Sequence, residues 1–314
     1  MAFSHQGIQF QVAYRHGLSP LHWHSTDSIC EEAFMSRTWF ITGIGSGLGR
    51  EMAGRLLARG ERVAGTLRDA AAVAPLRERY GARLWTATLD LTDAHEIARV
   101  VAQAFDAFGR LDVIVNNAGY GLFGVTEGFD DAQVRHQLDT NLVAPIQVTR
   151  AALPRLRAQG GGRMLAISSY GGQATHAGAA LYHASKWGME GFFDALAAEV
   201  APFGIGVTIV EPGGARTGFR RAAGRHFGAE VEAYRDTPVG ALRARLADPG
   251  FVARGDPAKM VDIMIASVDE TPAPKRIVLG RDAYTMIRNA LAERLAAVEA
   301  GRDLAFSTDF PETQ

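Results

Sequence analysis

The sequence predicts an α/β fold: a doubly wound parallel sheet of about seven strands with helices on both faces, followed by a C-terminal helix. Three observations predict it. Short β-rich runs alternate with longer segments of helical spacing from Arg37 onward. The runs are solidly apolar, as strands buried on both faces must be. Parallel neighbours need crossover connections, and right-handed crossovers through helices cover both faces of one sheet.

The elements follow in chain order. Thr38 to Thr42 (TWFIT) is an apolar strand that enters a glycine-rich turn, and a helix continues to about Arg59. Arg62 to Thr66, Leu84 to Leu89, Leu111 to Val115, Met164 to Ser168, Val207 to Val210 and Ile277 to Leu279 are the later strands. Asp93 to Phe108 carries Ile97, Val100, Val101, Ala104, Phe105 and Phe108 at helical spacing, giving one apolar stripe for the sheet. Gly214 to Gly255 breaks the alternation; it is long and rich in Arg, Ala and Gly, as lids and irregular connections are. Asp282 to Glu299 reads as an amphipathic helix. No internal repeat and no Pro/Gly/Ser linker divides the chain. The expected organisation is an N-terminal extension at 1–34, one sheet domain at 35–281 with a lid at 214–255, and a C-terminal helix and tail at 282–314.

Composition narrows the function. Of 314 residues, 47% are hydrophobic and 21% charged, ordinary values for a globular chain with a substantial core. A formal net charge of -1 without a basic cluster gives no electrostatic case for nucleic acid or an anionic membrane. The single cysteine, Cys30, rules out an intramolecular disulfide and a Cys-based zinc site, and fits a reducing compartment. No apolar run approaches the roughly 20 residues of a membrane helix, so a cytoplasmic location is expected. The first 34 residues hold His5, His16, His22 and His24 but no helical or strand period and no signal-peptide core. Scattered histidines of this kind read as polar surface, and no metal is expected. The extension is expected to be poorly ordered, with Met35 a candidate translation start.

The turn after the first strand is Thr42-Gly43-Ile44-Gly45-Ser46-Gly47-Leu48-Gly49. Glycines placed between a strand and a helix let backbone N–H groups approach a pyrophosphate at the helix's positive end. This makes Gly43, Ser46, Gly47, Leu48 and Gly49 candidate nucleotide contacts. A carboxylate ending the second strand would suit the ribose diol of NAD and repel a 2′-phosphate. Leu67 and Arg68 stand there instead, and an arginine pairs with a 2′-phosphate, so NADP(H) is the expected cofactor.

Further along, Asn116-Asn117-Ala118-Gly119 follows the fourth strand and Ser168-Ser169 closes the fifth. Tyr182-His183-Ala184-Ser185-Lys186 lies on the next helix. In this order and spacing the motifs resemble the short-chain dehydrogenase/reductase family, with its Rossmann-type sheet, from Arg37 to about Leu279. A tyrosine of ordinary pKa, about 10, is a poor base at neutral pH. A lysine four residues later shares its helix face and favours the phenolate. The resemblance implies Tyr182 as general acid or base, Lys186 also bonding the nicotinamide ribose, and Ser169 orienting the substrate oxygen. It implies Asn141 as the holder of a proton-relay water. Pro145 adds a physical reason, because a residue without N–H leaves the carbonyl of Asn141 unpaired in a helix. It also implies Asp90 and Leu91 at the adenine, Asn117, Ala118 and Gly119 along the cofactor, and Pro212, Gly213 and Thr217 at the carboxamide.

The expected activity is hydride transfer between NADP(H) and a carbonyl or alcohol. The alternative is a protein that senses the redox state of NADP without turnover, which would be expected to lack Tyr182 or Lys186. In the lid, Phe219, Phe227, Tyr234 and Leu242 offer an apolar wall. Arg216, Arg220, Arg221 and Arg225 offer an acid-binding one. The aromatic content favours medium or large apolar carbonyls. The N-terminal extension and C-terminal helix depart from the family's common core, and a homo-oligomer stays open.

Overall fold

The computed structural model describes residues 36–310 except 225, 249 and 251. The expectations for residues 1–34, including Cys30, and for Met35 and Arg225 lie outside the described residues. The seven strands are β1 (Thr38–Ile41), β2 (Arg62–Leu67), β3 (Leu84–Thr88), β4 (Val113–Asn116), β5 (Gly162–Ile167), β6 (Ile205–Pro212) and β7 (Arg276–Leu279). All pair in parallel in the order β3-β2-β1-β4-β5-β6-β7. The chain thus starts in the middle of the sheet, winds to one edge, returns and winds to the other. This is the doubly wound arrangement that the apolar runs predict.

The helices are α1 (Gly47–Ala58), α2 (Ala74–Tyr80), α3 (Ala94–Phe108), α4 (Asp131–Leu138), α5 (Ala144–Ala158) and α6 (Ala180–Val200). Beyond them come α7 (Phe219–Ala223), α8 (Pro238–Ala247), α9 (Pro257–Ala266), α10 (Arg281–Ala300) and α11 (Arg302–Phe306). None is long and apolar enough to cross a membrane. Side chains of β1 alternate between two cores. Phe40 packs with residues of α3, α5 and α6, whereas Trp39 and Ile41 pack with residues of α1 and α9. Alternation along a strand therefore builds a core on each face.

Local chemistry sets the helix ends. Asp93 caps α3 by accepting from the backbone N–H groups of His95 at 2.9 Å and Glu96 at 3.0 Å, worth about 1 kcal/mol. Gly109, at φ 71°, ends it. Asp130 and Gln133 form a reciprocal capping box on α4. Between α4 and α5 the chain makes a π-helical turn, Asp139–Val143. Pro145 follows it inside the first turn of α5, the bend that the missing N–H predicts.

The 214–255 stretch contains α7 and α8 and is fastened to the body by main-chain bonds. Phe123 donates its N–H to the carbonyl of His226 at 3.2 Å and accepts from Gly228 at 2.9 Å. Ala215 and Gly255 bridge its two ends.

Candidate active site

Ligands on open parallel sheets bind beyond the carboxyl ends of the strands, where the winding reverses. Here that point lies between β1 and β4. The loop after β1 runs through Gly43 at φ 77° and Gly47 at φ 60°, conformations that favour glycine. A Cβ at Gly49 would lie 2.4 Å from Asn117 Nδ2 and 2.5 Å from the Gly43 carbonyl, so only glycine lets α1 start so close to the strand ends. Ser46 caps α1 in an extended conformation with no side-chain bond to the helix, which leaves its hydroxyl for a ligand. Leu48 packs its side chain against the α1/α9 core, so only its backbone can serve the loop.

Asn117 braces this loop from β4. Its Nδ2 donates to the carbonyls of Thr42 at 2.8 Å and Gly43 at 3.3 Å. Thr42 Oγ1 accepts in return from the N–H groups of Asn117 and Ala118, both at 3.0 Å. The amide fills carbonyls that would otherwise compete for the loop's own donors, so the loop keeps the shape a phosphate needs.

The reacting groups predicted from sequence come together. Ser169 and Tyr182 are both buried, and the Ser169 side chain acts on the phenol to favour its charged form. Ser169 Oγ also accepts from the Gly171 N–H at 3.1 Å, which fixes its direction. Burial raises the Tyr182 phenol above its ordinary pKa, against the lowering by Ser169. Lys186, one turn on and buried, donates to the carbonyl of Ile167 at 2.8 Å. Burial pulls its ammonium down to about 8, and Glu190 opposes the shift. Both shifts follow from one cause, the cost of charge away from water.

Asn141 lies in the π turn, fully buried. Its Nδ2 donates to the Tyr120 carbonyl at 2.8 Å and to Ser185 Oγ at 3.2 Å, and its Oδ1 accepts from the Tyr120 N–H at 3.1 Å. A Cβ at Gly119 would lie 3.2 Å from Asn141 Oδ1 and 3.7 Å from Lys186 Nζ. Glycine therefore brings β4's loop, the π turn and α6 to one place.

The outlying candidates fall around this centre. Arg68 is exposed just beyond β2. Asp90 Oδ1 accepts from the N–H of Thr92 at 2.9 Å and its hydroxyl at 2.8 Å, bonds that hold the carboxylate below its ordinary pKa, with smaller help from His136 and Arg68. Leu91 is half-buried against the α3 side of the core. Pro212 ends β6, and Gly213 donates to the Leu279 carbonyl at 2.7 Å. A Cβ on Gly47 would lie 3.9 Å from Thr217 Cβ, so Thr217 faces the phosphate loop from across the site.

Sequence reasoning missed part of the wall. The Phe123 ring lies 5.7 Å from that of Tyr182 and 6.4 Å from that of Phe227. Phe219 stands 6.1 Å from Tyr182, and Leu242 packs into the same cluster. Tyr234 lines one pocket with Phe227 and Leu242, and Glu127 acts on its hydroxyl to favour the neutral phenol. Tyr170 bonds His176 Nε2 through its hydroxyl at 3.0 Å beside this wall. The glycines flanking Phe123, Gly121 and Gly124, were the available signal, because a Cβ on Gly121 would strike the Phe123 ring at 2.4 Å.

Comparison with known proteins places this arrangement. A family profile described as short chain dehydrogenase matches residues 37–226. Oxidoreductase BOA17 of Botryotinia fuckeliana (strain B05.10) is 34% identical over 275 residues, 87% of this chain and 100% of that protein. The crystal structure of a short-chain dehydrogenase from Streptomyces avermitilis has a TM-score of 0.81 and 35% identity, over 88% of this chain and 100% of that one. A metagenomic short-chain oxidoreductase in complex with NADP has a TM-score of 0.61 and 25% identity, over 77% of this chain and 96% of its own. Another solved structure of the fold holds NAD. Likeness across the full length of a characterised fold and of a named oxidoreductase leaves one conclusion: this chain belongs to the short-chain dehydrogenase/reductase family of oxidoreductases.

Proposed function

We propose that the chain interconverts a carbonyl and an alcohol with NADP(H), using Tyr182 to transfer the proton. The observation that carries this is the joint burial of Ser169, Tyr182 and Lys186, with Lys186 one helical turn beyond Tyr182 on α6 and fixed to the Ile167 carbonyl. The nicotinamide, when bound, supplies or accepts the hydride. Ser169 and Tyr182 hold the substrate oxygen, and Tyr182 gives it a proton in reduction or takes one in oxidation. Burial alone keeps Tyr182 protonated, so the cation of Lys186 is needed to bring the phenolate within reach. Asn141, held through both ends of its amide, keeps the proton path near Lys186 fixed.

The glycine cradle fits a dinucleotide: Gly43, Ser46, Gly47, Leu48 and Gly49 would receive the pyrophosphate through backbone N–H groups and the free Ser46 hydroxyl. Arg68 would pair with the 2′-phosphate, and Asp90 and Leu91 would meet the adenine. Asn117, Ala118 and Gly119 would flank the riboses, with Pro212, Gly213 and Thr217 at the carboxamide. Phe123, Phe219, Phe227 and Leu242 make the substrate wall apolar, which suits medium or large ketones and aldehydes.

The test is NADPH oxidation with a panel of carbonyls. Tyr182→Phe is expected to bind NADPH as the unaltered protein does and to lose on the order of 10²- to 10⁴-fold in kcat. Retained turnover in that variant would place the proton path elsewhere.

A further inference from the structure

A second polar cluster lies one helical turn beyond Lys186, away from the reacting groups. Glu190 is 4% exposed and Glu211 0%. Ser168 Oγ donates to Glu190 Oε1 at 2.7 Å, and Gln173 Nε2 donates to Glu211 Oε1 at 2.7 Å. Arg276 Nε stands 3.4 Å from Glu190 Oε2 and 3.4 Å from Glu211 Oε1, while its Nη1 lies 3.3 Å from Asp194. The same Arg276 Nε therefore bridges the two carboxyls. Glu211 Oε2 is buried and has no N–H or hydroxyl donor among the described residues.

Each member adjoins a residue of the candidate site. Ser168 precedes Ser169, and Gln173 follows the turn that carries Tyr170. Glu190 shares the α6 face with Lys186 and Tyr182. Glu211 precedes Pro212 and Gly213, and Arg276 opens the strand whose Leu279 carbonyl binds Gly213. The packing is direct: a Cβ on Gly172 would lie 2.1 Å from Glu190 Oε1. Two buried carboxylates against one guanidinium leave a net charge and an oxygen without a donor, a costly arrangement. One proton between them cures both defects.

We propose that Arg276, Glu190 and Glu211 form a positioning unit, with one proton held between the carboxyls, that keeps the Ser169 turn, the Tyr182–Lys186 face and the 212–213 segment in register. It rests on the reading of Ser169, Tyr182 and Lys186 as the reacting groups. The charged groups facing the pair are Lys186 and Asp194 from α6 and Arg276 from β7, while Ser168 and Gln173 contribute neutral donors. Burial first, and Glu211 next, push the Glu190 carboxyl up to about 7, against Ser168 and Arg276. A carboxyl raised in the folded state holds a proton that the unfolded chain has released. Its contribution to stability is therefore lost as pH rises from the ordinary carboxyl range through about 7.

Two full-length variants test the unit. Glu211→Gln removes one ionisable member while keeping its shape. Its Tm minus that of the unaltered protein is expected to increase as pH goes from about 5 to about 7.5; a difference that stays constant with pH overturns the shared proton. Arg276→Met is expected to lower kcat by on the order of tenfold or more, with KM for NADPH within about threefold. An unchanged kcat there overturns the positioning role. The Tm comparison decides on its own if Arg276→Met does not fold. Tyr182→Phe is measured alongside: if it turns over normally the reading of the reacting groups is at fault. If it is inactive while Arg276→Met is fully active, only the positioning unit is.

Discussion

Burial keeps the Tyr182 phenol neutral and weakens the Lys186 ammonium to about 8, still charged at neutral pH. In the proposed mechanism a phenolate on Tyr182 would be stabilised by the ammonium one turn away. That relation is legible from the spacing alone; the burial that makes it consequential is not. Arg68 is legible in the same way, as the residue that stands where a carboxylate would choose the other cofactor. Arg68→Ala is expected to lower the NADPH-to-NADH ratio of kcat/KM by on the order of 10- to 100-fold, the loss of one charge-assisted contact. Steady-state kinetics with both cofactors gives the ratio, and an unchanged value would clear Arg68 of the role. Glu190 and Glu211 show where reading residues one at a time stops. A glutamate within the apolar run of β6 is a visible oddity, but its partners come from α6, β7 and the turn after β5, which no local pattern joins.

Among the elements, those governed by local rules were the readable ones. The apolar stripe of α3 and the strand–turn–helix of the phosphate loop fall within a residue or two of their expected bounds. Pro145 pointed to an irregularity in the helix at Asn141, and the structure has a π turn there. The lid was legible only as an irregularity, because its contacts run to Phe123, about a hundred residues away in sequence, an order of separation that periodicity cannot report. Phe219 is 41% exposed yet lies 6.1 Å from the Tyr182 ring, so it has surface left for a substrate to cover. Phe219→Ala is expected to lower kcat/KM for large apolar carbonyls about tenfold, and to change it little for small ones, in line with the roughly 1.5–3 kcal/mol for burying a large apolar side chain. Equal losses across a panel graded by size would show that Phe219 does not contact substrate.

At the scale of the whole molecule, the fold was legible because the inner strands β1, β4, β5 and β6 are buried on both faces and written as apolar runs, whereas β3 and β7 at the edges are only partly buried. Right-handed crossovers restrict the sheet to doubly wound topologies, and the order β3-β2-β1-β4-β5-β6-β7 is what the structure adds. The same logic sets where the chain needs to begin. Among the described residues, both cores are assembled between Trp39 and Leu279. A chain starting at Met35 is therefore expected to fold and turn over as the full chain does, with Tm within about 2 °C, less than ~1 kcal/mol would produce in a domain this large. A loss of many degrees in thermal unfolding would show that residues 1–34 pack on the core.

The bonds between Phe123 and residues 226–228 run through the main chain, and main-chain bonds are indifferent to which side chains they carry. The lid's anchorage and its vocabulary are thus separate. On the proposed substrate wall, Phe219, Phe227 and Leu242 are expected to be replaceable while the fastening at Phe123 stays intact. For a designer or for selection, the proposed wall would make selectivity editable without altering the architecture.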